Sequence, residues 1–491
     1  MGDNGESSGP ADEDPWGFLA APKASRSPEA PKASAAVESE VVPSAPRRER
    51  GEIRAQVAGP SLKRRALPTA VALGAMSFTA FLTQITAASQ LVTAAGAGWL
   101  LGFYALGGIG LLLMGALQFG FIDQQARLPM IRAVMIGYGV LFAIAVALSL
   151  ASPWLLVGVG LLWVLAEQTN YLVPLLVWTL AGDEFNVAEG RKIFPWIATF
   201  GYAGQVLGLG VAAFSPWLME GIEAPLLLVL ILNPITCIVI GIWLARSLKG
   251  TSAAQGLARE ESFRQSIASA REFVQGVPVW RHLLLGSMFT FIAGMTLFVM
   301  YLGGVREIVG DDPATIQRVF GLVGLVACLA GWAFSVLGVG RLLEKWGIPG
   351  TLLILPIVTV IGGVLVLAGI VSNGLLLVAV GMGIWLAQRW SVDRVARRAA
   401  LALVPNERRA RLYFLLELAP VGVGLIVGAG AAAIGVWIGL AWPILLLIVL
   451  VAVAAVHQGI LVRQGWEESL LNWRLRRRKT NRSIAIDFDL E

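Results

Sequence analysis

Charge is what this chain is short of. Asp, Glu, Lys and Arg together make up 14% of its 491 residues, against about 25% in a soluble domain. Histidine and cysteine are scarcer still, with two of each. His282 and His457 are isolated from each other and from any cluster of ligand-forming side chains, so no metal site is expected. Cys237 and Cys328 lie inside apolar runs, with no CxxC spacing and no disulfide framework. There is no Walker A loop and no nucleophile elbow. These absences argue against a transporter driven by its own ATPase and against a membrane hydrolase. The chain is expected to be no enzyme and to need no cofactor. The first 60 and more residues are polar, so no signal peptide is expected ahead of the first apolar run.

What the chain has in quantity is apolar residues, 56% of the total, and glycine, 56 copies. The apolar residues fall in repeated runs of about 20, the length a helix needs to cross a bilayer. The expected fold is therefore an all-α polytopic membrane protein. Its net charge of +6 does not signal nucleic acid, because Lys and Arg gather in the tails and short loops, where membrane topology places them.

Twelve spans can be drawn, at about 68–91, 97–121, 130–151, 154–180, 194–217, 225–246, 282–304, 315–340, 350–371, 374–400, 411–434 and 437–462. Basic residues collect on one side of them: Arg127 and Arg132, Arg191 and Lys192, Arg246 to Arg281, Arg341 and Lys345, Arg408 to Arg411, and Arg474 to Lys479. The positive-inside rule makes that side the cytoplasm, with both termini in it. The expected setting is the bacterial inner membrane, crossed many times.

One pattern occurs twice. GDEFNVAEGRKIFPWIATFGYAGQVLGLG, from Gly182, returns as PNERRARLYFLLELAPVGVGLIVGAG, from Pro405. Arg191, Gly204, Gly208 and Gly210 stand 220 residues before Arg411, Gly424, Gly428 and Gly430. Four matches at one offset imply a duplicated half. Two six-helix halves of parallel topology define the major facilitator architecture. The expected organisation is a disordered cytoplasmic tail over 1–65, one half over 66–248, and a cytoplasmic interdomain segment over 249–280 with a candidate amphipathic helix. A second half covers 281–463 and a basic cytoplasmic tail 464–491. Trp16 heads a small apolar island in the N-terminal tail, a candidate docking peptide for a protein partner. The paired glycines read as close-packing faces between helices, with Arg191 and Arg411 at the hinge loops before them.

Polar groups inside a membrane cost about 2.5–3.5 kcal/mol per charge on insertion scales, so those that remain are site candidates. Glu167, Asn170 and Tyr171 share one face of the fourth span. Glu167 lies roughly 20 Å along that helix. The 220-residue offset sets Gln388 opposite Gln168 and puts Arg389 at nearly the same depth. Arg389, Asp393 and Arg397 follow i, i+4, i+8 and should form one stripe. Arginine grips carboxylate or phosphate through paired hydrogen bonds, so the stripe suits an anionic or zwitterionic solute. The alternative is that these arginines snorkel and pair with Asp393 or lipid phosphate. Thr79, Thr83, Thr86 and Gln84 in the first span could line a cavity or pack helices. Arg306, with Tyr301, marks a candidate outer gate.

The run VWTLAGDEFNVAEGRKIFPWIATFGYAGQVLGLG resembles the junction of the fourth and fifth spans in the ADP/ATP translocases, the nucleotide transporters of plastids and intracellular parasites, and in their free-living bacterial relatives. FVQGVPVWRHLLLGSMF and LVPNERRARLYFLLELAPVGVGLIVG resemble two further stretches of that family. The resemblance implies a major-facilitator-like fold and, for its best-known members, nucleotide exchange. Those members carry intramembrane lysines for phosphate, whereas here Lys63, Lys192, Lys249 and Lys345 lie at span edges or in loops. The leading expectation is thus a secondary transporter of a small organic, anionic solute within the lipid bilayer. Nucleotide exchange is one alternative. A non-transporting receptor, scaffold or assembly partner is another.

Overall fold

The structure is a computed structural model that describes residues 62–94, 96–122, 127–185, 187–248, 277–402, 414–438 and 441–488. The N-terminal tail with Trp16, the candidate amphipathic helix and Arg411 lie outside them, as does the side chain of Arg191.

Among the described residues every regular element is helical. Helices α1 (Leu62–Ala94), α2 (Gly96–Ile122), α3 (Arg127–Leu150), α4 (Leu155–Glu184) and α5 (Val187–Gly221) are followed by a 3-10 turn (Leu226–Ile231) and α6 (Leu232–Ser247). The second set is α7 (Pro278–Val309), α8 (Pro313–Leu337), the short α9 (Val339–Leu352), α10 (Ile354–Val371) and α11 (Leu375–Gln388). A π-helical turn (Arg389–Asp393) continues α11 into α12 (Arg394–Ala402). Another (Phe414–Leu418) leads into α13 (Ala419–Ile438), and α14 (Ala441–Phe488) closes the chain.

Among the described residues, eleven helical stretches are long and apolar enough to cross a membrane. The expected second span is α2, with a shorter apolar stretch at Leu101–Leu117. Several helices outrun the spans drawn from hydropathy, because polar residues at their ends continue the helix beyond the apolar core. The loop expected at Gly182 shows this best. Only Phe185 and Asn186 separate α4 from α5, and Glu184 and Glu189 belong to the two helices. Likewise Arg341 to Lys345, between the eighth and ninth expected spans, lie in the helix α9, which kinks at Gly347, where φ is +67°.

Burial sorts the helices. The most apolar windows of α1, α4 and α7 are 72%, 67% and 67% buried, against 39% for α3, α5, α6, α8 and α10 and 22% for α14. The first group is central and the second carries more outward surface, with side chains such as Val336 of α8 and Val371 of α10 exposed, where they would contact lipid tails.

Glycine sets the closest approaches. A Cβ on Gly204 would lie 1.8 Å from the Gly74 carbonyl oxygen, and one on Gly208 2.5 Å from that of Phe78, so α5 seats directly on α1. In the second half, Cβ atoms on Gly424 and Gly428 would meet Phe291 at 2.7 Å and Met295 at 3.0 Å, so α13 seats on α7 in the same manner. The two halves meet along two seams, α2 with α13 and α5 with α8. At the first, Gly108 abuts the Gly422 carbonyl. At the second, Gly321 abuts the Ala213 backbone.

Candidate functional site

A cavity lies between the halves, walled by α1, α2, α4 and α5 on one side and α7, α8 and the α11 π-turn region on the other. Two charged side chains reach it. Glu167 on α4 is 3% exposed, and its Oε1 accepts a hydrogen bond from Gln84 Nε2 at 3.3 Å. Glu167 Oε2 is buried with no partner. Across the cavity, Arg389 Nη2 donates to the Tyr171 hydroxyl. The guanidinium lies over the rings of Phe291, 4.8 Å away, and Trp385, 5.0 Å away. It forms no ion pair with Glu167 or with another described carboxylate. Stacking and one neutral hydrogen bond therefore hold a planar cation in place while leaving most of its five N–H donors free.

Of the residues singled out in the sequence, Glu167, Asn170, Tyr171, Gln84 and Arg389 line this cavity, and Gln388, Asp393 and Arg397 do not. The single α-helical stripe expected over Arg389, Asp393 and Arg397 is interrupted by the π turn, which begins at Arg389 itself. Such turns recur at functional sites. Arg397 instead completes a buried pair, with Nε 2.8 Å from Asp393 Oδ2 and Nη1 donating to the Ser287 hydroxyl. It also lies over Phe291, at 5.1 Å, so one ring carries two guanidiniums. Gln388 is buried with neither amide atom partnered. The threonine face of α1 turns to packing: Thr83 accepts from Asn233 Nδ2 of α6 at 2.7 Å.

Aromatic residues form much of the wall, and the charge-led reading of the sequence missed most of them. Tyr104, Phe298, Tyr301 and Phe320 make a continuous series of ring contacts, at 6.2, 6.1 and 5.3 Å between successive centroids. Trp385 is fixed by its indole N–H, which donates to Thr359 at 3.0 Å. Trp390 meets Phe81 edge-on at 5.2 Å. The hydroxyls of Tyr104 and Tyr301 are buried without partners. Tyr301, expected at an outer gate with Arg306, is a cavity residue, while Arg306 pairs locally with Asp311 at 2.5 Å.

Contacts between the halves flank the cavity. Toward the C-terminal end of α1, Gln317 of α8 accepts from the Ser89 hydroxyl at 3.3 Å. Its Nε2 donates to the Ala212 carbonyl at 2.8 Å and the Ser215 hydroxyl at 2.9 Å, both on α5. Gln317 was not anticipated, although a lone glutamine in an apolar helix is the kind of residue that bonds across helices. On the other side, the Tyr202 hydroxyl donates to the Trp390 carbonyl at 2.6 Å, and Arg398 of α12 lies over the Trp178 ring of α4 at 5.1 Å. Near the chain's N-terminal described residues, Arg65 ties α1 to the α4–α5 junction, bonding the Glu184 carbonyl at 3.1 Å and pairing with Glu189 at 2.9 Å. Burial raises the pKa of Glu184, and Arg65 opposes that shift.

The fold of two helical halves is shared with solved membrane transporters. The chain is similar to the solved structure of the nucleoside transporter NupG, with a TM-score of 0.59 and 15% identity over 83% of this chain and 99% of that one. An auto-inhibited POT family peptide transporter matches with a TM-score of 0.60 and 12% identity over 81% and 97%. A D-xylose-proton symporter matches at 0.58 and 13% over 79% and 96%. No family model and no curated protein matches the chain. At these identities the likeness establishes the fold.

Proposed function

We propose that the chain is a secondary transporter of the bacterial inner membrane, with both termini cytoplasmic, that moves a small organic solute with an anionic group by alternating access. One observation carries this reading: a cavity between the halves holds a guanidinium with no carboxylate partner. A structural arginine in an apolar bundle is normally neutralised, as Arg397 is by Asp393. Arg389 is left to bind something that comes and goes. The transporter fold of the structural neighbours supports transport over a receptor or scaffold role. A nucleotide bearing three or four phosphate charges would meet one cavity-lining arginine, so a solute of one or two charges suits the site better than the nucleotides suggested by the translocase resemblance.

The test is counterflow in proteoliposomes, using the strongest hit from a thermal-shift screen of carboxylates, phosphates and nucleotides. Arg389→Ala is expected to lower uptake at least tenfold, roughly the loss of one charged hydrogen bond. Glu167→Gln should change uptake or its coupling. Wild-type transport by both variants would sink the assignment.

A further inference from the structure

We infer that the solute is a zwitterion built on a flat, unsaturated ring. Its carboxylate lies on Arg389, its cationic or strongly donating nitrogen on Glu167, and its ring against the wall of Tyr104, Phe298, Tyr301 and Phe320. The inference rests on the reading of the cavity as a transport site, and it narrows that reading to a substrate class.

Three observations lead to it. First, the cavity holds one group of each sign, and the two are not in ion-pair contact, so each can take a separate group of a solute. A solute that is only anionic would satisfy Arg389 but set a like charge near the Glu167 carboxylate. A solute that is only cationic would do the reverse. Second, the unsatisfied polar atoms are acceptors and hydroxyls as well as guanidinium donors. Glu167 Oε2 is buried and unpartnered, as are the Tyr104 and Tyr301 hydroxyls. Buried polar groups in folded proteins are nearly always paired, so three unpaired ones on one cavity point to a ligand with donors as well as acceptors. Third, the ring series crosses from α2 to α7 and α8 without a break, and Phe81, Trp385 and Trp390 face the same space. A phosphate or a short dicarboxylate has no use for such a wall. A planar body gains both area burial and ring–ring contact from it, once the halves part to admit it, since the cavity has about 40 Å³ of free volume in this structure.

The probes are L-phenylalanine and L-tyrosine, compared with 3-phenylpropionate, phenethylamine, L-alanine, succinate and ATP. Binding to the purified full chain is measured by calorimetry and uptake by proteoliposome counterflow. The aromatic amino acids should bind at least tenfold more tightly than the acid-only, amine-only and ringless analogues. Glu167→Gln should remove the preference for L-phenylalanine over 3-phenylpropionate while keeping that over phenethylamine. Arg389→Gln should do the opposite. A folding defect would weaken every probe alike and cannot produce this crossed pattern. Succinate or ATP binding more tightly than the amino acids, in an Arg389-dependent way, would overturn the zwitterion inference and leave the anion-transport reading standing. Absence of binding and uptake for every probe would overturn both.

Discussion

At the scale of single residues, contact distance separates glycines that look equivalent in the repeat. Gly204 admits no side chain, because a Cβ there would lie 1.8 Å from a backbone oxygen that cannot swing away. Gly210, six residues on, has nothing within 4 Å of the same position. Gly204→Ala should therefore destabilise by about 1–3 kcal/mol, the usual cost of overfilling a packed core, and lower the thermal midpoint in detergent. Gly210→Ala should leave that midpoint unchanged. Equal midpoints for the two variants would contradict the seating of α5 on α1. The same scale shows what the sequence could reveal of the site. Glu167 and Arg389 stood out because charge inside a membrane is costly. Tyr104, Phe298 and Phe320 did not, since an aromatic residue in an apolar helix looks identical whether it faces lipid, core or cavity. Only the packed neighbours distinguish them.

At the scale of elements, hydropathy located the helices but not their ends, which are set by capping and by polar residues that prolong a helix. α8 is the clearest case. Asp312 is its N-cap and accepts from the backbone N–H of Ala314 and Thr315 and from the Thr315 hydroxyl. These bonds, that of the Thr315 hydroxyl foremost, hold the Asp312 carboxyl below its ordinary range. A carboxylate whose pKa is lowered on folding contributes its stability above the unfolded value, and loses it as pH falls through the folded one. Asp312→Ala should cost about 0.5–2 kcal/mol. The gap between wild type and variant, measured by denaturation at neutral pH, should shrink as pH drops below about 4. A gap constant down to pH 2 would remove the ionised cap as its cause. The break in α11 was likewise hidden. A π turn has the same composition as the α-helix around it, so counting i, i+4, i+8 placed Arg389 and Arg397 on one stripe, although one ends in the cavity and the other in a buried ion pair.

At the scale of the whole molecule, the seams are images of each other under the repeat: the second helix of one half meets the fifth span of the other, twice. The duplication could be seen in Arg191, Gly204 and their counterparts, but which helices of one half touch the other could not, because no local pattern records it. Alternating access requires these seams to rock. Cysteines replacing Ser89 and Gln317, whose side chains now touch at 3.3 Å, should crosslink under oxidant and reduce counterflow to background, with recovery on reduction. The native Cys237 and Cys328 are both buried, and Ser89→Cys and Gln317→Cys alone are the controls. Full uptake by the crosslinked protein would show that this end need not open.

The Gln317 contact also bears on the speed of the cycle. Its three hydrogen bonds reach two helices of the other half but converge on a single amide. They cannot be surrendered one after another by separate side chains, so release is one event with one barrier. If that event limits turnover, solutes that differ widely in affinity should share nearly the same maximal rate. Their differences would then appear in half-saturation alone.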